Sequence, residues 1–352
     1  MAHGSRSLSL IMDAFIQAMF DESVLESAAA RYGVPNGALR LLGGFQSYIY
    51  EFEHQGQARI LRISHTAHRS IAQVHGEAAW INYLVDRGIP AARVVPAPDG
   101  ALVQMLPARE GAFIAAAFER APGTRVSHDA LGPALYRQMG ILMGRMHVLT
   151  QDFVPPTLAY RRPTWHDQAA GFAARCLPDS EQVAIDKFDA ELAYLQTLPT
   201  ERESYGLAHT DVHLGNIHIH DGQLTLFDFD DCQYTWFVDD IAIALFYATL
   251  SAKNDQERLA LAQSFLPPFL EGYYQAHWLA PKWFAQIPHF LKVREIGVYA
   301  AIHAHCGGNI DALDPFGQQY VKEHKPRIEN DVPCMELDFE SVARSYAIRP
   351  KS

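Results

Sequence analysis

The chain predicts an α+β fold in two lobes, an antiparallel sheet followed by a mostly helical lobe. Three observations predict it. At 352 residues the chain exceeds the roughly 250–300 residues at which a single hydrophobic core stops growing. Between about residues 39 and 118, short apolar runs alternate with Gly, Pro and Asn/Asp turn signals at strand spacing. Beyond that point apolar residues recur mostly at helical intervals. The expected divisions are a helical extension over 1–35, a sheet lobe with one helix over 36–117, and a helical lobe over 118–352.

Residues 9–31 carry Leu10, Ala14, Ala18, Val24 and Leu25 at helical intervals and predict a helix or helix pair, ended by Gly33, Pro35 and Gly37. The opening seven residues read as a flexible leader. Three antiparallel strands are expected over 39–42, 48–53 and 59–64, the first two joined by Gly43-Gly44-Phe45-Gln46-Ser47. A glycine pair lets backbone N–H groups approach a phosphate, although most such pairs only mark turns. A helix over 70–86 follows, then short strands near 94–95, 101–106 and 113–118.

Past residue 118 the helical pattern sets in. Residues 131–149 place Leu135, Met139, Leu142, Met143 and Met146 on one face, a stripe that reads as core. Residues 151–167 are irregular around Pro155, Pro156 and Pro163; Arg161, Arg162 and Trp165 there read as surface caps, with lid contacts the alternative. Further helices are expected over 168–198 (broken near Pro178), 240–250, 256–265, 269–277 and 283–305, and a charged irregular tail from Asp311, docked by Phe339 and Tyr346. Glu271, Tyr273, Arg294 and Glu295 read as ordinary helix faces, with a substrate wall the alternative.

The most informative stretch is 207–242, LAHTDVHLGNIHIHDGQLTLFDFDDCQYTWFVDDIA. It predicts a tight turn, a strand over 217–220, a turn at Asp221-Gly222, a strand over 224–229, and a helix. Asp211 precedes Asn216 by five residues, and Asp228 leaves an apolar strand. ATP-dependent phosphoryl transfer needs this set: one carboxylate to accept a hydroxyl proton, and an amide oxygen with a second carboxylate to hold magnesium. Magnesium keeps several of its waters, so two protein ligands suffice.

HTDVHLGN, then LFDFDD, then DDIA resembles, in order and spacing, the superfamily of aminoglycoside phosphotransferases, choline kinases and type II homoserine kinases. These are distant relatives of protein kinases with a pattern close to H-G-D-x-H-x-x-N … I-D-[FW]-x-D … D-L-A. The resemblance is strong from His209 to Ala242 and weaker from Leu39 onward. It implies a bilobal protein-kinase-like fold with ATP and Mg2+ as cofactors. Asp211 is then the catalytic base, and Asn216 and Asp228 are the metal ligands. Arg62 on the third strand would grip phosphates, steadied by Glu77, with Gly43 and Gly44 over the phosphates. Glu119 and Ala121 would read adenine through main-chain groups, although a plain Pro-Gly connection predicts the same residues. His209 would order the turn and Asp240 brace it. Asp230 and Asp231 either assist or are structural. One departure stands out: Thr210 occupies the usual Gly position, so the turn either has ordinary φ there or is strained.

The expected acceptor is a small hydroxyl-bearing molecule such as an amino alcohol, a hydroxy amino acid or an aminoglycoside-like compound. A protein Ser/Thr acceptor, a non-catalytic nucleotide binder and a zinc hydrolase are the rival readings. Zinc draws on His209 and His213 at helical spacing, but no Glu follows the first His and Gly215 argues for a turn. A net charge of −11 excludes nucleic-acid backbones as partners and suits a cationic acceptor. The four cysteines form no CxxC pair and read as reduced thiols in the cytoplasm. Asp13 and Gln17 interrupt the apolar run over 8–20, so neither signal peptide nor membrane span is expected.

Overall fold

The computed structural model describes residues 14–347 except 36, 45, 128, 129 and 308. Leu10 of the expected first helix, Phe45 and the opening leader therefore lie outside the described residues. The chain divides into two units. Phe153–Arg162 and His218–Asp230 join the chain up to Thr124 in the first; Arg125–Asp152, Pro163–Ile217 and the chain from Asp231 form the second.

The first unit is built on an antiparallel sheet. Its strands are β1 (Arg40–Gly43), β2 (Ser47–His54), β3 (Gln57–His65), β4 (Val94–Val95), β5 (Val103–Pro107) and β6 (Ala112–Glu119). Their order is β1-β2-β3-β6-β4, with β5 also paired to β6. Alternate residues of a strand face opposite sides, and the sequence obeys this. Leu61, Ile63, Ala115 and Ala117 pack with Tyr50 and Phe52 against Ile16, Val24, Ala28 and Tyr32. Ile16 lies on α1 (Ala14–Met19), Val24 and Ala28 on α2 (Glu22–Arg31), and Tyr32 caps the end of α2, so the predicted helical stretch is a pair. Asp21 separates the two by capping α2, accepting from the Ser23 and Val24 N–H groups. Arg62 and its cross-strand partner Ala116 point to the other face. There α3 (Ile71–Asp86) starts at a capping box in which Ser70 and Gln73 satisfy each other's backbone N–H groups.

The hairpin of the central stretch forms as the sequence predicts. Strands Ile217–His220 and Gln223–Leu226 flank Asp221 and Gly222, whose φ values are +48° and +75°. Both residues are left-handed, the requirement of the tight turn that matches strand twist. The second strand ends at Leu226 rather than at residue 229, because Asp228 turns the chain with φ +64°.

Helices dominate the second unit: α4 (Pro133–Thr150), α5 (Trp165–Ala169), α6 (Phe172–Cys176), α7 (Gln182–Leu195), α8 (Phe237–Thr249), α9 (Asp255–Ala276), α10 (Ile287–His305), α11 (Pro315–Glu329) and α12 (Phe339–Tyr346). Met139, Met143 and Met146 are buried, as their stripe predicts. Helices α4 and α9 cross at glycines. A Cβ on Gly140 would lie 2.0 Å from the Phe269 carbonyl oxygen, and one on Gly272 would lie 2.0 Å from that of Arg137.

Two expectations are corrected here. Residues 256–265 and 269–277 were expected as separate helices, yet α9 runs through Pro267 and Pro268 without a break. Proline there removes the bonds to the carbonyls of Gln263 and Ser264, and both residues are exposed, where water can serve them. Phe265, Leu266, Phe269, Leu270 and Tyr273 meanwhile carry one buried stripe across the pair. The tail from Asp311 is not irregular either. Asp314 caps α11 through the Gly317 N–H with Pro315 in its first turn, and Tyr320, Val321, His324 and Ile328 bury one face. Phe339 docks as expected, fully buried. Among the described residues no helix is long and apolar enough to cross a membrane.

His277 ends α9, buried, with Nε2 3.2 Å from the Glu203 carbonyl oxygen. Burial, helped by the nearby His147, pushes its imidazole down to about 4. Below the ordinary value of about 6.5 the unfolded chain takes up a proton that the folded one refuses. This contribution is complete above that value and is lost as pH falls through about 4. Across that window it should cost about 3 kcal/mol of stability. Urea unfolding at pH 7 and pH 4 should show His277→Gln losing less stability on acidification than the wild type.

Candidate active site

In the first unit the predicted phosphate-binding pair is closed. Arg62 Nη1 donates to Glu77 Oε1 at 2.8 Å and Nη2 to Glu77 Oε2, with both side chains buried. The guanidinium carbon lies 5.0 Å from the centre of the Phe118 ring. Burial by itself would push Arg62 down, but the carboxylates of Glu77, Asp230 and Asp228 overcome it and hold the group firmly charged.

Asp230 has a defined job. Its Oδ2 is 3.2 Å from Arg69 Nε and its Oδ1 is 3.6 Å from Arg62 Nη1. Burial pushes its carboxyl up; Arg62, Arg69 and Arg162 outweigh that and hold it below the usual range. Arg162 is buried, not the surface cap expected of it. It donates from Nη1 to the Gln73 carbonyl at 3.0 Å and from Nη2 to the Asp230 carbonyl at 2.6 Å. Trp165 likewise packs inward, its ring centre 5.1 Å from that of Trp236.

Gly44 joins β1 to β2 at φ +150°, and a Cβ there would fall 1.7 Å from the Ser47 carbonyl oxygen. Gly43, at φ +131°, is also left-handed. Only glycine fits this connection. At the end of β6, Glu119 pairs with Arg59 across the sheet. Ala121 is buried and its carbonyl accepts from His218 Nδ1 at 3.1 Å, which fixes the proton on that ring nitrogen. Asp228, exposed and left-handed, is the last predicted residue of this unit.

The second unit holds Asp211 and Asn216. Asn216 Nδ2 donates to Asp211 Oδ2 at 3.0 Å and to the Asp211 carbonyl at 3.1 Å. The amide nitrogen is thus committed and its oxygen is the atom left to meet a ligand. His213 Nε2 is 3.2 Å from Asp211 Oδ2, while His213 Nδ1 accepts from the Gly215 N–H. Arg294 Nη2 donates to Asp211 Oδ1 at 2.6 Å. Burial would raise the Asp211 carboxyl; the His213 bond and the Arg294 charge reverse this and hold it well below the usual carboxylate range.

Thr210 resolves the question its identity raised: φ is +60°, the strained alternative. Its N–H donates to Asp240 Oδ1 at 2.8 Å and its hydroxyl to the Asp231 carbonyl at 2.7 Å. Asp240 is fully buried, its other oxygen 3.0 Å from His147 Nε2, and His147 Nδ1 is 2.9 Å from the Tyr273 hydroxyl. His209, also fully buried, accepts the Asp211 N–H at Nδ1. With His209 and His213 both turned to local backbone groups, they do not form the helical pair that zinc would need. Among the described residues no three His, Cys, Asp or Glu side chains gather as a metal nest. Arg69 and the bracketing role of Arg162 escaped the sequence, and Arg294 reads there as an ordinary helix face with a substrate wall the alternative, because each acts on a partner far along the chain.

An antiparallel sheet with one paired arginine–glutamate helix, and a helical unit presenting Asp-x4-Asn on a braced turn, define a phosphotransferase of the protein-kinase type. The chain belongs to the phosphotransferase enzyme family, whose model matches residues 38–283. It transfers phosphate to an alcohol group. Amicoumacin kinase of Bacillus subtilis (strain 168) is 31% identical over 324 residues, covering 92% of this chain and 96% of that one. The structure of amicoumacin kinase hAmiN, in complex with AMP-PNP, Ca2+ and Ami, superposes with a TM-score of 0.87 at 31% identity, covering 94% of this chain and all of that one. A microcompartment-associated aminopropanol kinase, at 21% identity and a TM-score of 0.70 over 94% of this chain and 99% of that one, shares the fold.

The Thr210 geometry makes a stability prediction. A left-handed β-branched residue costs about 1–2 kcal/mol. Thr210→Val keeps that cost and strands the Asp231 carbonyl, so it should lose about 1–3 kcal/mol in urea unfolding. Thr210→Gly loses the same bond but removes the strain, and should stay within about 1 kcal/mol of wild type. Equal stability of the Val variant and the wild type would show that the hydroxyl contributes nothing.

Proposed function

We propose that this phosphotransferase moves the γ-phosphate of ATP, bound with Mg2+, to a hydroxyl of a small polar molecule of the amicoumacin type. The observation that carries it is the Asn216–Asp211 bond, which presents an amide oxygen and an ionised carboxylate from one turn. The amide oxygen of Asn216 and the carboxylate of Asp228 are hard donors and suit magnesium, which takes most of its remaining ligands from phosphates and water. When bound, the ion would neutralise charge on the β- and γ-phosphates. Arg62, fixed by Glu77, grips phosphate oxygens, and the Gly43-Gly44 backbone closes over them. Main-chain groups of Glu119 and Ala121 read the adenine.

Asp211 accepts a hydrogen bond from the acceptor hydroxyl and aims its oxygen at the γ-phosphorus. The new oxygen–phosphorus bond forms as the bond to the β–γ bridging oxygen breaks, and ADP leaves with that electron pair. The hydroxyl proton passes to Asp211 and then to solvent. A carboxylate held so far below its usual range is a weak base, so it orients first and takes the proton late, as a loose transition state allows. His209, Thr210 and Asp240 keep the turn in place.

Support for the acceptor class comes from amicoumacin kinase, matched over 92% of this chain. The net charge of −11 suits an acceptor with an amine away from the reacting hydroxyl. A protein acceptor is disfavoured by the short connection between Asp230 and α8. It consists of residues 231–236, whose strand Gln233–Trp236 pairs with Tyr205–Ala208 and leaves no activation segment.

An ADP-release screen should include amicoumacin, aminoglycosides, amino alcohols, hydroxy amino acids and a generic protein acceptor. Turnover is expected with a small-molecule member and none with protein; the reverse would move the reading to a protein kinase. Asp211→Asn should lower kcat by about 10²–10⁴-fold with little change in nucleotide affinity. Asp228→Ala should instead raise the KM for the nucleotide–metal complex. Near-normal turnover by the Asn variant would refute the role given to Asp211.

A further inference from the structure

Arg294 lies on α10, 83 positions from Asp211 in the chain, yet its Nη2 is 2.6 Å from Asp211 Oδ1 and 2.6 Å from the Tyr247 hydroxyl. The Tyr247 ring faces the guanidinium at 5.0 Å and the His213 ring at 4.7 Å. Each Asp211 oxygen therefore has its own donors: Arg294 at Oδ1, Asn216 and His213 at Oδ2. A carboxylate gripped at both ends cannot swing about its terminal torsion, and charge-assisted bonds this short are the strong ones. Asp211 still has lone pairs for one incoming hydroxyl. Arg294 can be reached as well: its side chain keeps 24% of its exposure and that of Asp211 keeps 20%. Burial by itself would push Arg294 down, but the Asp211 and Asp231 carboxylates and the bond it donates to the Tyr247 hydroxyl keep the guanidinium charged.

We propose that Arg294 is a positioning residue for the transfer, holding the Asp211 carboxylate in the one orientation that meets an acceptor hydroxyl. By the same charge it selects acceptors carrying an oxygen, such as a carboxamide, beside the reacting hydroxyl. An ammonium at that place meets a guanidinium, and like charges at short range repel. Any amine on the acceptor belongs further from the reacting oxygen. This deepens the function proposed above and rests on it.

The test uses the full chain with the best acceptor of the screen, nucleotide affinity measured by calorimetry with Mg–AMP-PNP, and melting curves to confirm folding. Arg294→Gln should lower kcat by about 10²-fold, the loss that misplacing a catalytic group by about an ångström produces. Nucleotide affinity should stay within about twofold, as for an interaction made only on the acceptor side. Arg294→Lys should recover part of the rate, and added guanidinium should restore part of it to Arg294→Ala. Between acceptors differing only in a carboxamide or an aminomethyl group beside the hydroxyl, the wild type should prefer the carboxamide and the Gln variant should lose that preference. Wild-type kcat in the Gln variant would overturn the positioning role. So would equal losses in Lys and Gln variants without guanidinium rescue, which would mark a purely structural residue. A wild-type preference for the aminomethyl member would overturn the selection. A fully active Asp211→Asn, or a screen without any acceptor, would count against the proposed function instead.

Discussion

The second unit depends on one buried carboxylate. Asp240 has no exposure, and both its oxygens are filled, one by the Thr210 N–H and one by His147. A buried charge persists only when its partners are complete, and here they come from the turn at Thr210 and from α4 through His147, which the Tyr273 hydroxyl of α9 holds from behind. The left-handed conformation of Thr210 is held by this network and by its own hydroxyl. With that residue fixed, the next one, Asp211, has a defined direction in which to leave the turn.

Electrostatics divide the predicted residues into two kinds of group. In the first unit cations and carboxylates alternate: Arg62, Arg69 and Arg162 converge around Glu77 and Asp230, with Asp228 adding its charge to Arg62. Asp230 is not spare: Glu77 already holds Arg62, and Asp230 is the carboxylate that lies between Arg62 and Arg69. In the second unit the balance is acidic. Asp211 and Asp231 surround the single guanidinium of Arg294, and Asp239, burdened by burial, is pushed up to about 7.

What was legible in the sequence was local. The hairpin over 217–226 followed from Asp221-Gly222 between alternating residues, and the Asp211–Asn216 relation followed from five-residue spacing within one turn. The sheet strands and the Met stripe were accessible because periodicity determines them, and the pairing of Arg62 with Glu77 because the family resemblance implies it. The partners of Arg294, Arg162 and Arg69 were not, since a lone arginine in a helix or loop reads the same whether it faces water or a carboxylate many residues away. Proline misled in α9 because its cost depends on whether the carbonyls it strands reach solvent. The α11 helix was missed although Asp314-Pro315 is a helix start; the charge of the segment obscured the stripe at Tyr320, Val321, His324 and Ile328.

The path of the chain carries a further consequence. Because Phe153–Arg162 and His218–Asp230 return to the first unit after the second has begun, no single cut in the backbone releases either unit intact. Truncation at Thr124 would strip the first unit of the hairpin whose Leu226 bonds to Pro90 and Ala92. It would also remove Phe229, whose ring packs edge-on to Trp80. Fragments expressed separately would each lack part of their own core, so the protein must be synthesised through residue 230 before even its N-terminal half can be finished.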